Sequence, residues 1–248
     1  MERPVASAPW IAVGLLSGTA LAYEVLLTRL FALVHWHHLA ATIISLALLG
    51  YGASGTFLSL FRAHLGHRFA HAFVFNSLLF AVSLVVCFAV ASRLALDPLA
   101  LAWEPETAAR LAAIFTLMAV PFFSVANCVG LALWRYSDQV HRIYAVDLVG
   151  AGMGALGVVG TLFLVPPASL LELLSGLALA GSLIGAFELS LWRLPVALIA
   201  AAGALVLGLA DPIVVSPAEY KDLARSLRVQ GARVEAEVPG PLGVVTVV

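Results

Sequence analysis

The sequence predicts an all-α, polytopic transmembrane helix bundle with a short α+β tail. Three observations carry that reading. Of 248 residues 62% are apolar and 11% charged, against roughly 45–50% and about 25% in soluble domains. The mean hydropathy is +1.04. Apolar stretches also recur at the length of roughly 20 helical residues that a hydrocarbon core of about 30 Å demands. A soluble fold would leave exposed apolar surface well beyond what monomers tolerate.

Seven stretches meet the length criterion, at about 10–34, 39–61, 71–92, 111–134, 143–165, 168–187 and 195–210, the last being short. They are apolar on all faces, unlike the alternating strands of a membrane barrel, so helices that satisfy their own backbone are expected. The first stretch is too long for a signal peptide and lacks a clear small-residue cleavage site, so it is expected to be retained as a span. Cys87 and Cys128 both fall inside apolar stretches, which points to buried thiols rather than a disulfide framework. No basic patch argues for nucleic acid, and the formal charge is −1.

The connectors set the orientation. "FRAHLGHRFA" at 61–70 brings Arg62 and Arg68, and "RYSDQVHR" at 135–142 brings Arg135 and Arg142. Short basic loops belong on the cytoplasmic side, which also places the amino terminus, with Arg3, inside. The 93–110 connector mixes Arg93 and Arg110 with Asp97, Glu104 and Glu106, and Pro98 and Pro105 make it irregular.

The chain divides into a transmembrane domain at 1–210 and a polar tail at 211–248. In the tail, "AEYKDLARSLRVQG" after Pro217 reads as a short helix with Tyr220, Leu223 and Leu227 on one stripe and Gly231 as its stop. "ARVEAEV", a "PG" turn and "LGVVTVV" then read as the start of a hairpin. A lone hairpin cannot bury its own apolar face, so the tail is expected either to lead into a further domain or to pack on a partner.

Polar residues inside the apolar stretches are the candidates for function. Glu24 lies near the middle of the first, where insertion scales put a charged side chain at roughly 2.5–3.5 kcal/mol. Arg29 is about 140° around the helix from it, so the two do not stack, and Arg29 can snorkel toward the interface. Thr28, one turn on, is better aligned. Asp147 is the second carboxylate, in "RIYAVDLVGAGMGALGVVG"; a position near a helix start, where free N–H groups favour an acid, or a break at the following glycines would ease it. Asn127 sits just past Pro121, which removes a backbone donor and kinks its helix. Each of these residues has two readings: glue between helices, or the lining of a polar pocket or ion path. Glu172, about a turn into the sixth stretch, is placed near the interface.

Several motifs receive the plainer reading. Residues 152–157, "GMGALG", match G-x-G-x-x-G, but that pattern cradles a dinucleotide only between a strand and a helix, and here it interrupts an apolar run. Gly150 with Gly154, Gly14 with Gly18, and Gly181 with Gly185 form G-x-x-x-G pairs that let helices approach closely, within the chain or between copies. His35, His37 and His38, and then His64, His67 and His71, cluster at span ends, with no fourth ligand for zinc; no metal site is expected. An inverted repeat between the first three spans and the later ones is not evident.

In order, "LSGTALAYEVLLTRLFAL" at 16–33, "LALLGYGASGTFLS" at 46–59, "IYAVDLVGAGMGALGVVG" at 143–160 and "SPAEYKDLARSL" with "GARV" at 216–234 resemble the amino-terminal half of bacterial membrane-bound spermidine synthase-like proteins. The resemblance puts the first-span signature on Tyr23, Glu24, Thr28 and Arg29, and the fifth-span signature on Tyr144, Asp147, Gly150 and Gly154. Relatives often carry an amide in place of Asp147 and a contiguous Ser-Pro-Tyr-Lys where this chain has Ser216-Pro217-Ala218-Glu219-Tyr220-Lys221. The resemblance implies a multi-pass protein of the bacterial inner membrane whose helical module precedes a soluble aminopropyltransferase domain. The decarboxylated S-adenosylmethionine-type nucleotide and the catalytic acids would belong to that domain, and no cofactor or catalytic residue is expected within these 248 residues. Such a domain works in the cytosol, whereas seven spans from an inside start would place it outside; a miscount of spans is the expected resolution.

Three functions follow. The first is a module that anchors the transferase or feeds it a polyamine or other small cationic amine recognised by Glu24, Asp147 and Asn127. The second is a small-solute or amine permease. The third is a structural membrane module.

Overall fold

A computed structural model describes residues 8–34, 42–94, 105–191, 202–203, 236–240 and 243–247. Within them lie six helices long and apolar enough to cross a membrane: α1 (Trp10–Val34), α2 (Thr42–Gly66), α3 (Phe69–Arg93), α4 (Pro105–Arg135), α5 (Val140–Thr161) and α6 (Pro167–Glu188). A multi-pass helical membrane protein is therefore the class to which the chain belongs. Of the seventh stretch, 195–210, only Ala202 and Gly203 are described, and both are helical. The tail helix, Arg3, Asp97, Glu104 and the histidines at 35, 37 and 38 lie outside the described residues.

The helix boundaries follow local chemistry. α4 opens on Pro105, which the sequence reading assigned to an irregular connector; proline suits the first helical position, whose N–H has no partner in any case. Glu106 favours that first turn, and Arg110 one turn on stands 3.6 Å from its carboxylate. α5 stops at Thr161, short of the expected 165, because Pro166 and Pro167 follow and Pro167 starts α6. α6 ends with Ser190 in the left-handed region at φ 58°, while the Leu191 N–H closes back on the Ala186 carbonyl at 2.7 Å. That is the geometry glycine usually supplies at a helix end.

In the tail, Ala236–Gly240 (β1) and Gly243–Val247 (β2) form an antiparallel hairpin. Pairing continues through Pro239 and Gly240, which face Val244 and Gly243, so these two belong to the strand and not to the turn the sequence suggested.

α1 and α4 are the central helices. Leu16, Tyr23, Leu26, Leu27 and Leu30 of α1 are fully buried, as are Ile114, Met118 and Phe122 of α4. α5 is largely peripheral, with Ile143 and Val158 its buried residues. α1 packs chiefly on α5 and α6, α4 packs chiefly on α2 and α3, and α3 packs on α6. Exchanging α1 with α4, α2 with α5 and α3 with α6 reproduces this pattern of neighbours. The first three and last three spans thus repeat one pattern of neighbours, and because each half crosses three times the second runs in the opposite sense to the first.

The glycines make the relation concrete. Leu48, Gly50 and Gly52 of α2 reappear in register as Leu148, Gly150 and Gly152 of α5. A Cβ on Gly50 would stand 2.6 Å from the Phe122 Cβ and 2.8 Å from the Ala119 carbonyl oxygen, and one on Gly150 would run into the Gly14 carbonyl. Gly154 meets Gly18 in the same way. In lipid, where apolar burial gives no net drive, such close backbone approach gains dispersion contact. Gly181 and Gly185 pack against Leu16 and against Phe73 with Ala12.

The six spans also define two ends. At one, the Ile11 and Ala12 N–H groups that begin α1 donate to the two carboxylate oxygens of Glu188 at the end of α6, both at 3.1 Å. The Phe69 and Tyr136 rings meet there edge to face at 5.7 Å, and burial pushes the Tyr136 phenol up against the opposing pull of Arg135. This end carries both basic connectors, so the start of α1, the 61–70 and 135–142 connectors and the end of α6 share one side. The conflict raised by seven spans does not arise over these residues.

Candidate functional site

A cavity of about 380 Å³ lies between α1, α2, α4 and α5, in the half of the bundle nearer the basic connectors. Its polar wall is made by Ser17 of α1, Tyr51 and Ser54 of α2, and Asp147 of α5; Leu58 and Val129 supply apolar wall. The Ser17 hydroxyl donates to Asp147 Oδ1 at 2.5 Å. Asp147 sits two turns inside an unbroken α5. Neither a helix start nor a glycine break eases it, as the sequence reading supposed; a neighbouring helix does so through Ser17.

Glu24 stands two turns beyond Ser17 on the same stripe of α1, about 10 Å farther along at ~1.5 Å per residue. It is half-buried and outside the cavity wall. Tyr51 stands in the cavity wall with Asp147. Of the two carboxylates only Asp147 lines the cavity, so they do not share one pocket.

The remaining candidates point elsewhere. Asn127 is buried and fully engaged: Ser54 Oγ donates to its Oδ1 at 2.7 Å, and its Nδ2 donates to Asn76 Oδ1 at 3.1 Å. Asn76 in turn donates to the Ala72 carbonyl at 2.8 Å. This relay ties α2, α4 and α3 together behind the cavity and touches it through Ser54. The Thr28 hydroxyl donates to the Val25 carbonyl at 2.7 Å within its own helix. Arg29 forms no ion pair with Glu24, and its Nε is buried without a hydrogen-bond partner. Cys87 and Cys128 are buried free thiols. A turn at residues 67–68 separates His64 from His71, so these rings do not share a helix face, and among the described residues no group of three His, Cys, Asp or Glu side chains converges on a metal position. The G-x-G-x-x-G stretch lies mid-helix, with its N–H groups committed to α5.

Sequence reasoning missed Ser17, Tyr51 and Ser54. A serine seven residues before Glu24, on the same stripe, was the available signal. Nothing in the sequence paired it with Asp147 across 130 positions.

On the far side of the cavity from the basic end sits an aromatic layer. The Tyr23 and Phe122 rings lie 5.6 Å apart and Tyr51 and Phe122 6.3 Å apart. The Tyr23 hydroxyl is buried with no hydrogen-bond partner.

No family model matches the chain, and neither the curated proteins nor the solved structures contain a match to it.

Proposed function

We propose that the chain is the membrane module of a spermidine synthase-like protein of the bacterial inner membrane, and that the Asp147 cavity binds a small cationic amine for a soluble aminopropyltransferase-type domain. One observation carries the reading: an acid in the wall of an intramembrane cavity, oriented by Ser17, with Tyr51 beside it and a second acid two turns away. An ammonium group is the complement of that wall, because charges attract far more strongly in a low-dielectric cavity than in water. The Tyr-Glu and Thr-Arg signature of the first span supports the family assignment. Asn127, already satisfied by Ser54 and Asn76, acts as support behind the wall.

Equilibrium binding of radiolabelled spermidine to the detergent-purified chain tests the proposal. Asp147→Asn is expected to weaken binding at least about tenfold, a loss of ~1.4 kcal/mol, and Glu24→Gln by less. Unchanged binding in the folded double variant would reject the amine site.

A permease for amines or other small solutes is the second reading. The inverted three-helix repeat favours it, with the cavity at the meeting of the two halves, where transporter sites lie.

A further inference from the structure

The helices sort into two packed sets, each mixing the halves of the chain: α1 with α5 and α6, and α4 with α2 and α3. Hydrogen bonds around the cavity stay within a set. Ser17 and Asp147 join α1 to α5, and Ser54, Asn127 and Asn76 join α2, α4 and α3. On the opposite side of the molecule the sets are bonded to each other: the Ser182 hydroxyl donates to Ser77 Oγ at 2.8 Å and the Ser175 hydroxyl to the Ala81 carbonyl at 2.8 Å, both between α6 and α3. One edge of the interface between the sets is thus pinned by serines, and the other holds the cavity.

We infer that the two sets rock about the α3–α6 serine seam, opening the Asp147 cavity to the two faces of the membrane in turn, so that the chain carries its ligand across the bilayer. In this structure the cavity lies toward the basic end, and the Tyr23–Phe122 contact, one ring from each set, lies deeper in the bundle, between the cavity and the far end. The inverted repeat supplies the reason for two states. Exchanging the conformations of the two halves produces the mirror arrangement, open at the far side, from the same contacts. Packed interfaces of this kind switch between discrete arrangements rather than deform continuously.

The inference deepens the permease reading and uses no assumption about what the cavity holds. Its test therefore reads accessibility: a single cysteine in place of Ala151 on the cavity wall, in a Cys87→Ser, Cys128→Ser background, challenged with a membrane-impermeant maleimide from either side of sealed vesicles. Labelling is expected from both sides, more slowly from the far side. Phe122→Ala should raise the far-side rate several-fold, with Phe122→Leu as the milder variant if the first fails to fold. A disulfide between Ser77→Cys and Ser182→Cys, at the pivot, should leave both rates in place.

Labelling from the basic side alone, in the parent and in the Phe122 variants, would overturn the inference even if spermidine binds; that result describes a fixed receptor pocket. Passage of the reagent through the protein to a thiol inside the vesicle would overturn it too, because a pore needs no rocking. Two-sided labelling without spermidine binding would leave the rocking intact and reject only the amine reading.

Discussion

Asp147, Asn127 and Glu188 show three ways in which one polar side chain is reconciled with a membrane. Asp147 is held by a single hydroxyl and faces a cavity, so it keeps acceptor capacity for a ligand. Asn127 spends its amide on two neighbouring helices. Replacing it with Leu strands Ser54 and Asn76, and the expected loss is about 1–3 kcal/mol, whereas Ser54→Ala should cost nearer the ~0.6 kcal/mol average of interhelical bonds in lipid. Reversible unfolding in mixed micelles measures both, and an Asn127→Leu protein as stable as the parent would remove the relay from the account. Glu188 supplies the cap that α1 lacks locally. Glu188→Gln removes its charge from the α1 start and should destabilise the fold by about 0.5–2 kcal/mol, read as a lowered unfolding midpoint. The position of Asp147 was legible in the sequence, because a charge in an apolar run declares itself, whereas Glu188, at a span end, drew no notice. The partner of Asp147 was not legible, since Ser17 lies 130 residues from it and no local pattern encodes that contact.

At the scale of the element, the helices were legible nearly to their ends and the glycines only in kind. Six of the seven expected stretches form spans, since a membrane helix is set by length and apolarity, both local. Which glycines matter is a matter of facing. Gly150 and Gly154 lie against the carbonyls of Gly14 and Gly18, while nothing stands within 4 Å of a Cβ built on Gly152 or Gly157. Gly150→Ala and Gly154→Ala should therefore cost about 1–3 kcal/mol, as overpacking does. Gly152→Ala and Gly157→Ala should be neutral or stabilise by up to about 1 kcal/mol through helix propensity. Equal losses at all four, in thermal unfolding followed by circular dichroism, would contradict the α1–α5 seam. The same seam explains why G-x-G-x-x-G here has no bearing on nucleotides: its glycines serve a helix contact on one face and lipid on the other.

For the whole molecule, six spans give a definite topology. Cysteines placed at His64 and Asp138 should react with an impermeant reagent from the cytoplasmic side, and cysteines at Glu106 and Phe163 from the opposite side, in a background without Cys87 and Cys128. Labelling of His64 and Glu106 positions from the same side would refute the arrangement. The arginines at 62, 68, 135 and 142 predict this orientation, and the Glu188 contact with the start of α1 places the end of α6 on the same side as that start. The inverted repeat, by contrast, escaped the sequence because its two halves share little beyond Leu48-x-Gly50-x-Gly52 and Leu148-x-Gly150-x-Gly152. In lipid many apolar side chains fill the same role, so a repeated architecture persists while its residues diverge.

The sequence by itself determined the class of protein, six of its spans and the positions of the intramembrane acids Glu24 and Asp147, because bilayer thickness and the cost of charge in hydrocarbon act on each segment separately. Only the tertiary structure decided that Asp147 meets Ser17 in a cavity, that Glu24 stands apart from it, that Asn127 is support, and that the six helices form two exchanged sets. Those outcomes depend on which faces of distant helices pack together, and van der Waals packing between uniformly apolar surfaces leaves little trace in the order of residues along any one of them.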